Sequence, residues 1–480
     1  MGGLEKVILE NPAFTNFLVE KERNDLLDNV VRAILEDRNH NIWVATKAGR
    51  LHLYDSTFGK IMCFDSLPGI GKESVRNNTY SLFNDRDGYL WIGSKGDGLS
   101  VSTHSIPDKP RDYSKLRFRR FKYSSDDSTT LGNNNIYSIC QDNSADIWVG
   151  TYGNGLSLIL NPRARDMKFI RINQQNSNLS SNLVRYLHVD RSGNLWVATA
   201  FGLNLLEKEN ILKGQYKFRT FFRDPADQHS LSYNDVVHIY EDSKGRIWLG
   251  TFGGGADLVE VRKDGKISFR HFTGENGLSN DVIFGILEDH HGEIWFSSEN
   301  GLVKLNPATG RADIYNTFNG LNFNNFSENT CYRRKDGSLC FGGYMGIEIV
   351  NPANLIPAQV KPRIELTDFL LFNKEVPVNQ PGSPLEKNIS FTDKITLRYN
   401  QSSFNIDFSA LDFLDPGKIN YAYKLDNFED DWNNVGNQHK ATYTNLSPGK
   451  YLFRVKSLTS NETAASDERI LQIRIRPPWW

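Results

Sequence analysis

Apolar and polar positions recur along this chain in a fixed order. An apolar residue is followed three positions later by Asp, then by a turn containing Gly, then by an apolar residue, Trp, another apolar residue and a small pair. The clearest copy runs from Asp242 through Gly245, Ile247, Trp248 and Leu249 to Gly250 and Thr251. The Trp recurs at Trp43, Trp91, Trp148, Trp196, Trp248 and Trp295, and a seventh copy places Cys340 in its position. The spacings are 48, 57, 48, 52, 47 and 45 residues, the period of a propeller blade or solenoid repeat.

The parts of each repeat read as strands. Asp before Gly between two apolar runs is hairpin chemistry, because Asp caps its own turn and Gly supplies positive φ. A second Gly turn precedes a third strand, as at Gly155 to Ile159, Gly202 to Leu205 and Gly301 to Leu305. A fourth strand carries paired aromatics: Phe118 with Phe121, Phe218 with Phe221, Phe269 with Phe272. Four short antiparallel strands make one propeller blade, and seven copies predict seven blades. No helical periodicity competes with this reading. The seventh repeat ends near Pro352 without a paired-aromatic strand, while Phe14 and Phe17 stand unassigned ahead of the first. Residues 13–20 are therefore expected to supply the outer strand of the last blade, leaving no open seam. Asn or Asp recurs 14 residues before the Trp position, at Asn29, Asn77, Asn134, Asn182, Asn234 and Asp281, with Phe326 breaking the series. These are expected to be turn residues entering the innermost strand.

Beyond Pro352 the repeat stops. The expected organisation is a propeller over 1–352, a Pro-containing linker over 353–362 and a β-sandwich over 363–480. About seven short alternating strands are predicted there: 363–372, 395–397, 403–409, 420–425, 441–443, 449–457 and 468–476. Without a Cys-Trp-Cys core this reads as an immunoglobulin- or fibronectin-like sandwich. The fold class is all-β throughout.

Composition narrows function by exclusion. Of 480 residues, 39% are hydrophobic and 12% aromatic, and the formal net charge of −1 offers no basic field for nucleic acid. Four Cys, at 63, 140, 331 and 340, show no metal-ligand spacing. Cys331 and Cys340 fall across one hairpin, where an adjacent-strand disulfide would be strained. No run of 18 apolar residues occurs, and Met1 to Glu5 do not open a signal peptide. No nucleophile-elbow, zinc-protease, P-loop or dinucleotide signature is present, so no catalytic residue, metal or cofactor is assigned. The Glu-Asp pairs at 36–37, 241–242 and 288–289 recur at one turn on different blades and read as structural.

The positions that vary from blade to blade are the binding candidates. The loop between second and third strands carries Lys95 with Asp97, Tyr152 with Asn154, Phe201, Phe252, Glu299 and Tyr344. Eleven residues before the Trp position stand Arg32, Tyr80, Tyr137, Arg185, Val237, Phe284 and Asn329, near the channel entrance. Of these, Arg32 and Arg185 join the candidate site. Aromatic rings stack on sugar faces while polar groups hold hydroxyls, the mixture that small-molecule sites show.

The Asp-x-x-Gly-x-Ile/Leu-Trp copies resemble the two-component-regulator propeller repeat. The stretch Tyr421 to Trp432, followed by Ala441 to Tyr451, resembles the triple-tyrosine domain that follows such propellers, and the final Pro477, Pro478, Trp479 and Trp480 are similar to its membrane-proximal end. The resemblance covers nearly the whole chain. It implies the periplasmic sensor region of a hybrid two-component histidine kinase, detecting glycan-derived oligosaccharides and relaying the signal by rearrangement of a homodimer. It further implies a second propeller N-terminal to this one, a membrane helix after Trp480, and no kinase activity in these 480 residues. The competing readings are a structural propeller with recognition on an absent domain, and a carbohydrate-active lyase or hydrolase.

Overall fold

The computed structural model describes residues 12–20, 26–70, 79–108, 110–262, 264–317, 320–355, 363–410, 420–458 and 468–478. Asn77, the linker residues 356–362, and Trp479 and Trp480 lie outside the described residues. The chain divides into the compact units Met1–Leu355 and Ile356–Trp480.

The first unit holds seven four-stranded antiparallel sheets, six of them built from consecutive strands. The first strand of each sheet packs on the first strand of the next, and that of the seventh on that of the first, so the sheets close into a ring. This is the seven-bladed propeller predicted from the repeat. In the seventh sheet the order is Phe14–Phe17, Gly346–Val350, Leu339–Gly343, Phe326–Arg333. Phe14 pairs with Val350 and Phe17 with Ile347, so the chain's first described strand is the outer strand of the last blade.

The recurring Asp and Trp are one device. In six blades the Asp Oδ2 accepts the Trp Nε1–H at 2.7–2.9 Å, from Asp37–Trp43 to Asp289–Trp295. Its Oδ1 accepts turn N–H groups; Asp142, for example, takes those of Ser144 and Asp146. A buried indole N–H is thus satisfied and the hairpin fixed by one carboxylate. In blade seven the pair is lost together: Cys340 replaces Trp, and Arg334 occupies the position of the Asp. All four Cys are free thiols. The turn Gly adopts positive φ, as at Gly88, Gly193 and Gly245, and where Gly is missing His40 and Ala145 take the same conformation at φ 64° and 69°.

A second device joins neighbouring blades. At four seams the residue before the repeat Asp reaches back to the backbone N–H of the preceding blade's turn. Gln141 accepts from Arg86, Glu241 from Arg191, Glu288 from Ser243 and Glu36 from Lys335. The Glu-Asp pairs are accounted for by these bonds. The Asn/Asp series links the outer strand of one blade to the next: the Oδ1 of Asn134, Asn182 and Asn234 accepts the N–H of Tyr123, Gln174 and Arg223. In blade seven Asn324 does this for Thr317, two residues ahead of the position that Phe326 interrupts.

The second unit is a sandwich of a four-stranded and a five-stranded sheet. Two short strands, Lys374–Glu375 and Asn433–Gly436, add to the seven predicted ones. Lys394–Leu397 pairs parallel with Arg469–Ile475. Phe369, Phe404, Phe408, Leu425 and Phe453 fill its core. Tyr443 is buried there and donates to Glu429 at 3.1 Å, and Tyr451 donates to the Ser447 carbonyl at 2.8 Å. Trp432 is half-buried and lies under the Arg454 and Lys456 cations, 5.2 and 4.2 Å from its ring.

Candidate functional site at the channel mouth

The residue that organises the mouth is Arg185, on the innermost strand Val184–Val189 of blade four. Its Nε and Nη2 donate to the two oxygens of Asp235 at 2.6 and 2.7 Å, a bidentate pair with the neighbouring blade. Its Nη1 donates to Glu328 Oε1 at 2.7 Å, reaching blade seven. Burial disfavours the guanidinium charge, but Glu328 and Asp235 outweigh it and raise its pKa. Arg185 is therefore a fixed, permanently charged strut.

Glu328 reaches it because blade seven is irregular. In blade one, Val31 pairs with Thr46 and Ala33 with Ala45, a one-residue bulge. In blade seven, Phe326 pairs with Gly343 and the next pair is Cys331 with Phe341, so Ser327 to Thr330 stand opposite Gly342 alone, a bulge two residues larger than in blade one. Asn329 within this bulge has φ 57°, and its Nδ2 donates to the Arg185 carbonyl at 3.5 Å. Bulges re-aim side chains, and this one carries Glu328 and Asn329 towards blade four.

Aromatic rings continue the lining. Tyr80 stacks on Tyr137 at 4.8 Å, and Tyr137 on Tyr152 at 4.7 Å, with interplanar angles of 27° and 20°. The Arg185 guanidinium lies 5.7 Å from the rings of both Tyr152 and Phe252. Arg32 and Lys95 lie over Tyr80 at 5.4 and 5.9 Å. Phe252 meets Phe284 at 6.2 Å. Burial, and then the neighbouring Tyr80 and Glu328, push the Tyr137 hydroxyl up to about 12, so it stays a neutral donor. A cavity of about 530 Å³ opens beside this belt, bounded by Arg32, Phe252, Phe284, Glu299, Glu328 and Tyr344. The Arg32 Nε is buried and has no hydrogen-bond partner among the described residues.

Of the ten candidates read from the sequence, Arg32, Phe252, Glu299 and Tyr344 line this cavity, and Tyr152 and Arg185 join it through Phe252. Lys95 connects through Tyr80. Three stand elsewhere. Asp97 is buried and bound by Arg120 at 3.1 Å and Lys122 at 3.2 Å. Asn154 is spent on the Gly132 carbonyl and on Asn173. Phe201 packs on Phe222 at 5.6 Å and is exposed. Asp235 and Glu328 escaped the sequence reading. Asp235 stands beside the recurrent Asn234 with no signal of its own, and Glu328 is displaced by the bulge.

Among the described residues, no group of three or more His, Cys, Asp or Glu could hold a metal ion, and no helix is long and apolar enough to cross a membrane.

Comparison with known proteins defines the class. The two component regulator propeller repeat matches at 25–48, 75–96, 130–153, 178–201, 230–253 and 277–300, one match in each of blades one to six. The Y_Y_Y domain matches at 412–476. The chain thus carries the two component regulator propeller repeat in six blades and a Y_Y_Y match in the second unit, and both halves of the resemblance seen in the sequence are borne out. Among individual relatives, Histidine kinase P4 of Formosa agariphila is 26% identical over 482 residues, covering 100% of this chain and 34% of that protein. The chain therefore spans about a third of the length of the curated relative it matches. Of solved structures, the extracellular domain of a hybrid two component system from B. thetaiotaomicron is 21% identical, with 93% of this chain and 73% of that one covered and a TM-score of 0.40. PorZ of Porphyromonas gingivalis, a surface component of a type-IX secretion system, is 11% identical over 98% of this chain and 61% of its own, with a TM-score of 0.51, and shares the fold.

Proposed function

We propose that this chain is the extracytoplasmic, periplasmic sensing region of a hybrid two-component sensor histidine kinase, and that it recognises a glycan-derived oligosaccharide at the channel mouth. The kinase relative that spans the whole chain supports the first part. One observation carries the second: a stacked belt of Tyr80, Tyr137 and Tyr152 ends on a guanidinium that is held from two other blades, beside a cavity with both apolar and polar walls. Rings provide stacking faces, while the Tyr hydroxyls, Arg32 and Glu299 provide donors and acceptors for sugar hydroxyls. The arrangement favours recognition over hydrolysis. A glycosidase needs one carboxyl group to give a proton and another to act as base or nucleophile, and both Asp235 and Glu328 are committed to Arg185.

Signalling follows from differential binding. A ligand that bridges blades three, four and seven favours one arrangement of the sensor, and this bias reaches the kinase through rearrangement of a homodimer and a membrane helix beyond Trp480. The test uses the full-length sensor with Tyr152, Phe252 and Tyr344 replaced together by Ala. Ligand-dependent autophosphorylation is expected to disappear while basal autophosphorylation stays. An unchanged response would remove the site from these blades and favour recognition by a domain outside this chain.

A further inference from the structure

The innermost strands have two ends. The mouth residues Arg32 and Tyr80 sit at their beginnings, and the inter-blade staples sit at their other ends. In each of four seams a Glu or Gln side chain accepts the N–H of the residue that opens the preceding blade's turn. At the seam between blades one and two the staple position holds Asn84, one methylene shorter. Among the described residues, Asn84 makes no such bond to Arg38, the residue that opens the turn of blade one. The Asn84 Oδ1 is buried and accepts no hydrogen bond from the described residues. A cavity of about 570 Å³ opens at this place, lined in part by Asn84, Arg38, Phe83, Tyr332, Arg333 and Lys335.

The charges around it are unevenly spent. The lining carboxylates are occupied: Asp37 by Trp43, Tyr113 and its own turn, and Glu36 by His40 and the Lys335 N–H. Arg38 pairs with Asp108. Arg333, which stands at the staple position of blade seven, has no acidic partner among the described residues. Lys335 has none either; its Nζ meets His40 Nε2 at 3.2 Å, and this ring already offers Nδ1 to Glu36 at 2.8 Å. Two cations therefore face a cavity where four other seams place a side-chain oxygen.

We propose that this cavity is a second ligand site, for a small carboxylate, whose oxygens take the place of the missing staple. One oxygen accepts the Arg38 N–H as Gln141 accepts that of Arg86, while Arg333 and Lys335 hold its charge and Phe83 and Tyr332 cover its apolar stem. The site bridges blades seven, one and two, which include the blade closed by the N-terminal strand. Its occupation tightens the ring there. The channel-mouth reading is independent of it and stands or falls separately.

Glutarate, which carries the side chain of Glu with a second carboxylate, is the probe. Calorimetric titration of the whole 480-residue chain at low salt is expected to show saturable binding, with its neutral diamide silent. Arg333→Gln is expected to weaken glutarate about tenfold, the scale of one lost charge-assisted contact. Asn84→Glu is expected to fill the gap from within, to abolish glutarate binding and to melt at or above the wild-type temperature. Absence of binding to the wild type would overturn the proposal. So would a diamide that binds equally well, an Asn84→Glu variant that still binds, or one that melts well below wild type.

Discussion

One carboxylate carries most of the cost of a blade's hairpin. In blade three, Asp142 accepts from Trp148, Ser144 and Asp146, and the Trp148 ring is fully buried. Asp142→Ala leaves an indole N–H and two turn N–H groups without acceptors, which is expected to cost about 3 kcal/mol in urea unfolding. Two further groups, the buried Glu348 and the half-buried His271, contribute to the pH profile. Burial raises Glu348 from an ordinary 4.5 to about 7, against hydrogen bonds from Asn322 that favour its charged form. His271 is raised by its hydrogen bond to Asp257, with burial opposing. For both, the folded state holds its proton more tightly than the unfolded one. Their contribution is therefore complete below the unfolded pKa and is lost as pH rises through the folded one. The melting temperature is expected to fall between pH 5 and 8 as Glu348 ionises, and Glu348→Gln is expected to flatten that fall. A profile unchanged by the substitution would assign the pH dependence to other groups. The Trp and Asp positions were legible in the sequence because they repeat. That they bond to each other was not, since six residues of separation across a hairpin carry no sign of direction.

At the scale of elements, one four-residue strand completes the last blade and reinforces the seam between blades seven and one. Phe14 packs on Tyr315 at 5.1 Å, and Phe17 on Tyr54 and Phe58 at 4.9 and 4.5 Å, so the strand ties blade seven to blades six and one. A chain that begins after residue 20 keeps every other blade strand but exposes the edge Gly346–Val350. It is expected to lose at least about 3 kcal/mol, the scale of one large apolar truncation, and to associate with rising concentration through the open edge. Equal unfolding midpoints for the two chains would contradict this. The elements that sequence pattern placed well are the regular ones, because an alternating strand next to a Gly turn has few alternatives. The bulge at Ser327 to Asn329 was not legible: it breaks both the Asn spacing and the strand register, and only the pairing reveals that Asn324 has taken over the turn.

For the whole molecule, what separates the blades matters more than what they share. Shared residues build the ring, and its departures from symmetry build the candidate sites: Arg185, Glu328 and the tyrosine belt at one end of the innermost strands, Asn84 and Arg333 at the other. The sequence pointed to Arg32, Arg185, Tyr152 and Phe252 because they vary where their neighbours repeat. It also pointed to Asp97 and Asn154, because a side chain that pairs within its own blade varies in the same way. The central claim is that the channel mouth recognises an oligosaccharide, and its most direct test is thermal unfolding of this chain against a panel of plant and host oligosaccharides, beside the variant Arg185→Ala. At 100 times its dissociation constant a ligand stabilises by roughly 2.7 kcal/mol. The account predicts one selective shift in the wild type and none in the folded variant. A flat panel on well-folded protein, or a shift that survives loss of Arg185, would contradict it.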